Sequence, residues 1–181
     1  MPTHYPAVPQ WYVITGGPSS GKSTLVELLR AKGYRTTIEE ARHLIDLQRI
    51  IGRSTDEVRA NQALFQREVY RRQIEQEDAL NPNETVFLDR ALPDSLAYYR
   101  FLGLQPDSDL LHSIEAHHTY RKVFILDLLP LHPDYARTED TAAQHRIHEL
   151  LLEVYSSLNI PLERVPVLSV EQRAEYVLDR L

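Results

Sequence analysis

Residues 16–23 read Gly-Gly-Pro-Ser-Ser-Gly-Lys-Ser and fit the pattern G-x-x-x-x-G-K-[ST] at every position. That spacing serves the binding of a nucleotide polyphosphate. Gly16 and Gly21 allow backbone conformations that a side chain would forbid, so successive N–H groups can turn inward around a phosphate. Lys22 adds a point charge able to bridge the β- and γ-phosphates, and the Ser23 hydroxyl can ligate Mg²⁺. A helix expected over residues 21–32 aims its positive end at the same anion. The predicted nucleotide-binding loop is Gly16, Gly17, Pro18, Ser19, Ser20, Gly21, Lys22, Ser23 and Thr24.

A carboxylate follows at the end of the apolar run 85–88: Asp89, next to Arg90. A strand-end aspartate can hold Mg²⁺ or take a proton from an acceptor hydroxyl. Hydrolytic motors usually place a glutamate after it to polarise water. Arginine is suited to gripping an acceptor or a phosphoryl group, which favours transfer over hydrolysis. Glu39 and Glu40 close another short apolar run. Neighbours on a strand end point opposite ways, so one of them is expected at the site, and Glu40 is chosen as base or substrate ligand. Arg42 either lines an acceptor pocket or neutralises these glutamates. Arg137 lies in the proline-bearing stretch 127–140, read as a loop over the site, and Arg146 lies just beyond it. A closing arginine there would stabilise charge on the transferring group while the lid excludes water. The eight histidines suggest no metal cluster.

The elements that must position these residues follow from apolar periodicity. Strands are expected at 11–14, 34–38, 85–88, 122–126 and 165–168. Helices are expected at 21–32, 40–51, 93–101, 107–118, 141–158 and 170–181. One long helix should start at the capping-box sequence Ser54-Thr55-Asp56-Glu57 and end before Asn81-Pro82-Asn83, with Arg59, Arg67, Arg71, Arg72, Glu75 and Glu77 on solvated faces. Strands alternating with helices predict a three-layer α/β/α fold with a mostly parallel sheet, in one domain spanning 1–181. Ligands of such sheets bind beyond the carboxyl ends of the strands, where all the residues above converge.

Composition narrows the function classes. The chain has 181 residues, 43% of them hydrophobic, enough for one sizeable core. A net charge of −6 argues against general nucleic-acid binding. Lysine occurs only at 22, 32 and 122, so arginine carries nearly all the positive charge, as suits phosphate handling. The absence of cysteine removes disulfides, thiolate nucleophiles and cysteine zinc sites. Residues 1–10 contain three prolines and no apolar run, and are expected to be an extended leader. A cytoplasmic protein without membrane association is the expectation.

Taken together, the phosphate loop, Glu39-Glu40-Ala41-Arg42, Asp89-Arg90, and residues 164–168 followed by Val170-Glu171-Gln172-Arg173 resemble the small P-loop kinase superfamily. Within it they are most similar to the AAA-type ATPase group related to the nicotinamide riboside kinase domain of NadR. The resemblance implies ATP with Mg²⁺, and phosphorylation of a nucleoside or related metabolite. It implies phosphate and metal roles for Lys22 and Ser23, a substrate-facing Glu40, a strand-end pair Asp89-Arg90 with Asp89 at the metal, and a lid at Arg137. The stretch 127–140 lacks the dense arginine cluster of many such lids. Two readings stand at this point: a small-molecule kinase, and a regulatory ATPase that binds a protein partner and hydrolyses slowly. A GTPase is disfavoured, since no Asn-Lys-x-Asp motif is present.

Overall fold

The computed structural model describes residues 8–117, 120–131 and 140–181. Five strands form one parallel sheet: β1 (Trp11–Thr15), β2 (Arg35–Thr36), β3 (Val86–Asp89), β4 (Lys122–Leu126) and β5 (Leu162–Val165), in the order β2-β3-β1-β4-β5. Strand β1 is central because its residues are apolar on both sides and all five are buried. The register sets Ile14 opposite Asp89 and Thr15 opposite Ile125, so the turn after β1 emerges beside the carboxyl ends of β3 and β4.

Alternate strand residues build two cores. Tyr12, Ile14, Phe87, Phe124 and Leu126 pack with Leu25, Val26 and Leu29 of α1 (Lys22–Ala31) and Ala174 and Val177 of α8 (Val170–Leu178). Val13, Val86, Leu88, Val123 and Ile125 face the other way, onto Ala97 of α5 (Leu92–Phe101) and Ile147, Leu151 and Val154 of α7 (Thr141–Ser156). Each such aliphatic side chain contributes about 1.5–3 kcal/mol when fully buried. The remaining helices are α2 (Glu40–Ile50), α3 (Thr55–Arg59), α4 (Gln62–Asp78) and α6 (Ser108–His117). The three-layer α/β/α architecture is as the sequence predicts, and here every pairing is parallel.

Three local expectations are corrected. The long helix from Ser54 is two helices. Ser54 does form the capping box with Glu57, but the Asn61 side chain then accepts from the Leu64 N–H at 3.1 Å and starts a second helix. The last strand is β5 at Leu162–Val165, three residues earlier than expected, because Pro166 has no N–H for the ladder. The second strand shrinks to Arg35–Thr36: the Ile38 N–H goes instead to Gln76 Oε1 at 3.0 Å.

Helix α4 holds a further correction. Its buried residues are Phe65, Gln66, Tyr70, Gln73 and Glu77, while Leu64 is exposed. Glu77, expected on a solvated face, is 1% exposed. It accepts from Tyr120 Oη and Gln73 Nε2, both at 2.7 Å, and from the Leu92 N–H at 3.1 Å. Burial pushes its carboxyl up to about 7.

Candidate active site

The turn joining β1 to α1 has the conformation its glycines promise. Gly16 and Gly21 have φ of 149° and 84°, and Ser19 joins them at 56°. A Cβ on Gly16 would lie 2.7 Å from Ser20 Oγ and 2.8 Å from the Leu126 carbonyl oxygen, so the position accepts no side chain. Lys22 is 1% exposed at the start of α1. Ser20 Oγ is buried and makes no hydrogen bond among the described residues. A strained loop with a buried orphan hydroxyl and a buried lysine, at the positive end of a helix, fits a polyphosphate.

The loop is held from behind by two helices. On α7, Gln144 and His148 lie one turn apart on the buried side. Gln144 Nε2 donates to the Pro18 carbonyl at 2.9 Å and to that of Leu129 at 3.0 Å, and the Gly17 N–H donates to His148 Nδ1 at 3.3 Å. A Cβ on Gly17 would lie 3.0 Å from the Gln144 carbonyl oxygen and 3.0 Å from His148 Cβ. On α8, the guanidinium of Arg173 reaches Ser20. Sequence reasoning did not single out Gln144 or His148 for the site, although both are polar residues within the apolar stripe of α7.

His148 must be neutral at Nδ1 to accept from Gly17. Burial lowers its pKa; Asp127 opposes the shift, while Arg164 and His145 add to it. The unfolded chain therefore takes up this proton at a higher pH than the native one. The neutral histidine contributes stability above its ordinary value of 6.5, and that contribution is lost as pH falls through its lowered native value. Glu77 acts oppositely: its raised pKa contributes stability below 4.5 that is lost as pH rises through about 7. A comparison of two proteins isolates the histidine. His148→Asn, whose Oδ1 replaces Nδ1 as acceptor, is expected to lose less stability than the wild type on acidification below 6.5. Melting temperatures followed from pH 8 to 5 check this, and parallel curves would refute it.

Two clefts meet in front of the loop. The first is lined by Ser23 of α1, Asp89 at the end of β3, Thr37, and Asp46 and His43 of α2. Asp89 is buried, and its N–H donates to Thr37 Oγ1 at 3.0 Å. A serine hydroxyl and a carboxylate sharing one cleft suit a hard cation such as Mg²⁺. The second cleft runs from Pro18 between α2, α4 and α5. Ile45, Phe65, Val69 and Ala91 supply its apolar walls, and Gln66, Gln73, Glu40 and Arg59 its polar groups. Arg59, expected on a solvated face, lines this cleft.

Glu39 and Arg42 line both clefts. The premise that Glu39 and Glu40 end a strand does not hold. Glu39 is the N-cap residue and Glu40 the first residue of α2, so both line the second cleft. Glu40 is buried, which raises its pKa against the opposing pull of His43 and Arg72.

Arg90 follows β3 with φ of 67°, a left-handed conformation that costs a non-glycine residue about 1–3 kcal/mol. Its buried guanidinium donates to Asp94 at 2.8 Å, to Glu39 at 3.3 Å and to Tyr98 Oη at 3.3 Å, and lies 5.3 Å from the Tyr98 ring centroid. Asp94 also accepts from Thr15 Oγ1 and Tyr155 Oη, both at 2.5 Å. Arg90 thus lines the second cleft and fixes Glu39 at the junction of the two.

The predicted site residues from Gly16 to Ser23, together with Glu40, Asp89 and Arg90, converge at the carboxyl ends of the strands. Thr24 is exposed one residue further along α1. Arg146 lies on the exposed face of α7, paired with Glu149 and Glu153 at 3.3 Å each. Arg137 and most of the predicted lid fall outside the described residues.

A family model for an AAA domain matches residues 11–173. No curated protein matches the chain. Among solved structures, the deoxyadenosine kinase of M. mycoides with bound dCTP is 14% identical over 94% of this chain and 97% of its own, with a TM-score of 0.67. NadR in complex with NR is 18% identical over 95% of this chain and 50% of its own, with a TM-score of 0.62. The thymidylate kinase of Candida albicans is 18% identical over 97% and 92%, with a TM-score of 0.58. The likeness to these three is one of fold.

Proposed function

The chain belongs to the AAA domain family, and we infer that it is a kinase transferring the γ-phosphoryl group of ATP to a hydroxyl of a nucleoside or related small molecule. The observation that carries this reading is the junction of two clefts at Glu39: one is lined by Ser23, the last position of the phosphate-loop motif, and Asp89, and the other starts at Pro18 of the loop, is apolar-walled and is edged by glutamines. A slow regulatory ATPase needs only the first. The nucleoside and nucleotide kinases among the similar structures support the same reading.

In this mechanism the loop amides and Lys22 bind the β- and γ-phosphates. Ser23 and Asp89 would hold Mg²⁺, which when bound supplies positive charge at those phosphates. The apolar walls of the second cleft take the body of the acceptor, while Gln66, Gln73 and Glu40 meet its polar edge. Arg90 holds Glu39 at the seam, where its carboxylate accepts the proton of the acceptor hydroxyl. The hydroxyl oxygen bonds to the γ-phosphorus as the bond to the β–γ bridging oxygen breaks, leaving ADP. Arg137 would close over the transfer.

The test is ADP formation from ATP and Mg²⁺, with and without a panel of nucleosides and related metabolites. One compound should raise turnover well above background and itself gain phosphate. Slow turnover that no compound stimulates would favour the regulatory ATPase and direct the search to protein partners.

A further inference from the structure

The guanidinium of Arg173 is 2% exposed and held by main-chain carbonyls from three separate turns. It donates to Ser20 at 2.5 Å after β1, to Asp127 at 2.9 Å after β4 and to Pro166 at 3.0 Å after β5. Its Nη1 lies 3.1 Å from where a Cβ of Gly21 would stand, against the residue that opens α1. Among the described residues no carboxylate is in salt-bridge contact with it: the Asp127 carboxylate, whose charge acts on it from nearby, is hydrogen-bonded to Arg164 at 2.8 and 3.3 Å. A cation buried among neutral carbonyls is costly, and a fold that needed only to tie three turns together could do so without a charge.

The position of that charge suggests its use. The Ser20 carbonyl that accepts from Arg173 belongs to the same peptide unit as the Gly21 N–H, one of the amides a phosphate cradle offers. A charged donor on the carbonyl polarises the unit and strengthens the N–H on its other side. An anion in the cradle would in turn offset the cost of burying the guanidinium.

We propose that Arg173 is a positioning residue of the phosphate site: from behind the loop it fixes the Ser20–Gly21 peptide and lends it positive charge, so that polyphosphate affinity depends on a side chain that does not touch the phosphates. The proposal rests on the kinase reading only in taking the loop to bind polyphosphate, and its test separates the two.

Calorimetric titration with Mg-ATP and with inorganic tripolyphosphate compares the wild type with Arg173→Gln, which keeps donors but loses the charge. A hydrogen bond to a charged group sets the scale, so both ligands are expected to bind about 10- to 100-fold more weakly, with the acceptor's KM unchanged. In ¹H–¹⁵N spectra of the ligand-free proteins, the Gly21 amide proton should move upfield in the variant, a signature that loosened packing at a distance would not produce. A folded Arg173→Gln that binds tripolyphosphate within twofold of the wild type overturns the proposal, as does an equal loss for phosphates and acceptor. If Arg173→Gln does not fold, Arg173→Lys is judged on its Gly21 resonance. A lysine ammonium keeps the charge but lacks the fork that reaches all three carbonyls, so this variant tests the positioning: an unmoved signal shows that the fork does not fix the Ser20–Gly21 peptide and overturns the proposal as stated. A wild type that binds neither ATP nor tripolyphosphate refutes phosphate binding itself, whatever the variants do.

Discussion

Lys22→Met is expected to lower kcat for phosphoryl transfer by about 10²–10³-fold, the usual consequence of removing one preorganised electrostatic stabiliser from the transition state. The substitution separates charge from packing. Lys22 is 1% exposed, at the start of a helix packed on the central sheet, so truncation to alanine would open a cavity and confuse a folding defect with a chemical one. Methionine keeps most of the volume and removes the ammonium. The melting curve of the ligand-free variant reports its folding separately from the chemistry. ATP should raise its melting temperature less, since binding to the native state stabilises by mass action and the variant binds less tightly. Initial rates of ADP formation with a saturating acceptor, together with melting curves with and without Mg-ATP, check both halves. A folded Lys22→Met with kcat within a few-fold of the wild type would remove the phosphate loop from the chemistry.

The parts of this site legible in the sequence are those whose cause is local. The phosphate loop is a run of adjacent residues whose backbone needs dictate their types, so Gly16, Gly21, Lys22 and Ser23 could be placed without knowing what surrounds them. Asp89 was legible because an apolar strand delivers it, and the alternation of strands and helices carried the three-layer architecture. What escaped depends on partners far away along the chain. His148 meets Gly17 across 131 residues, and Arg173 meets Ser20 across 153. Each left a trace: Gln144 and His148 share the buried side of α7 with Ile147 and Leu151, and Arg173 interrupts the apolar stripe of α8 beside Ala174 and Val177. A polar residue on an apolar helix face must find a buried partner, and only the fold says which one. Helix α4 misled for the same reason, since Gln66, Gln73 and Glu77 occupy the face that periodicity assigns to apolar residues. The premise for choosing between Glu39 and Glu40 failed on a boundary: one residue decided whether they ended a strand or began a helix, and with that the directions of their side chains.

That boundary leads to the sharpest kinetic contrast in the molecule. Glu39→Gln should lower kcat by about 10²–10⁴-fold, the range for loss of a general base, with a smaller effect on the acceptor's KM. Glu40→Gln should do the reverse, raising the acceptor's KM more than it lowers kcat. The two residues are adjacent and similar in size, so a difference in folding is a poor explanation for opposite kinetic patterns. The asymmetry comes from their surroundings. Glu39 stands at the junction of the clefts and is held 3.3 Å from the strained, buried Arg90. Glu40 lines only the acceptor cleft, and burial pushes its carboxyl above the ordinary value of 4.5. Glutamine imitates a protonated glutamate. Wild type and Glu40→Gln should therefore converge in acceptor KM as pH falls below the raised pKa of Glu40, and diverge as it rises. Steady-state constants for both variants across pH 5 to 8 test the assignment. A Glu39→Gln enzyme with near-normal kcat would move the base to Asp89 or Glu40 and leave Glu39 as a ligand of Arg90 alone.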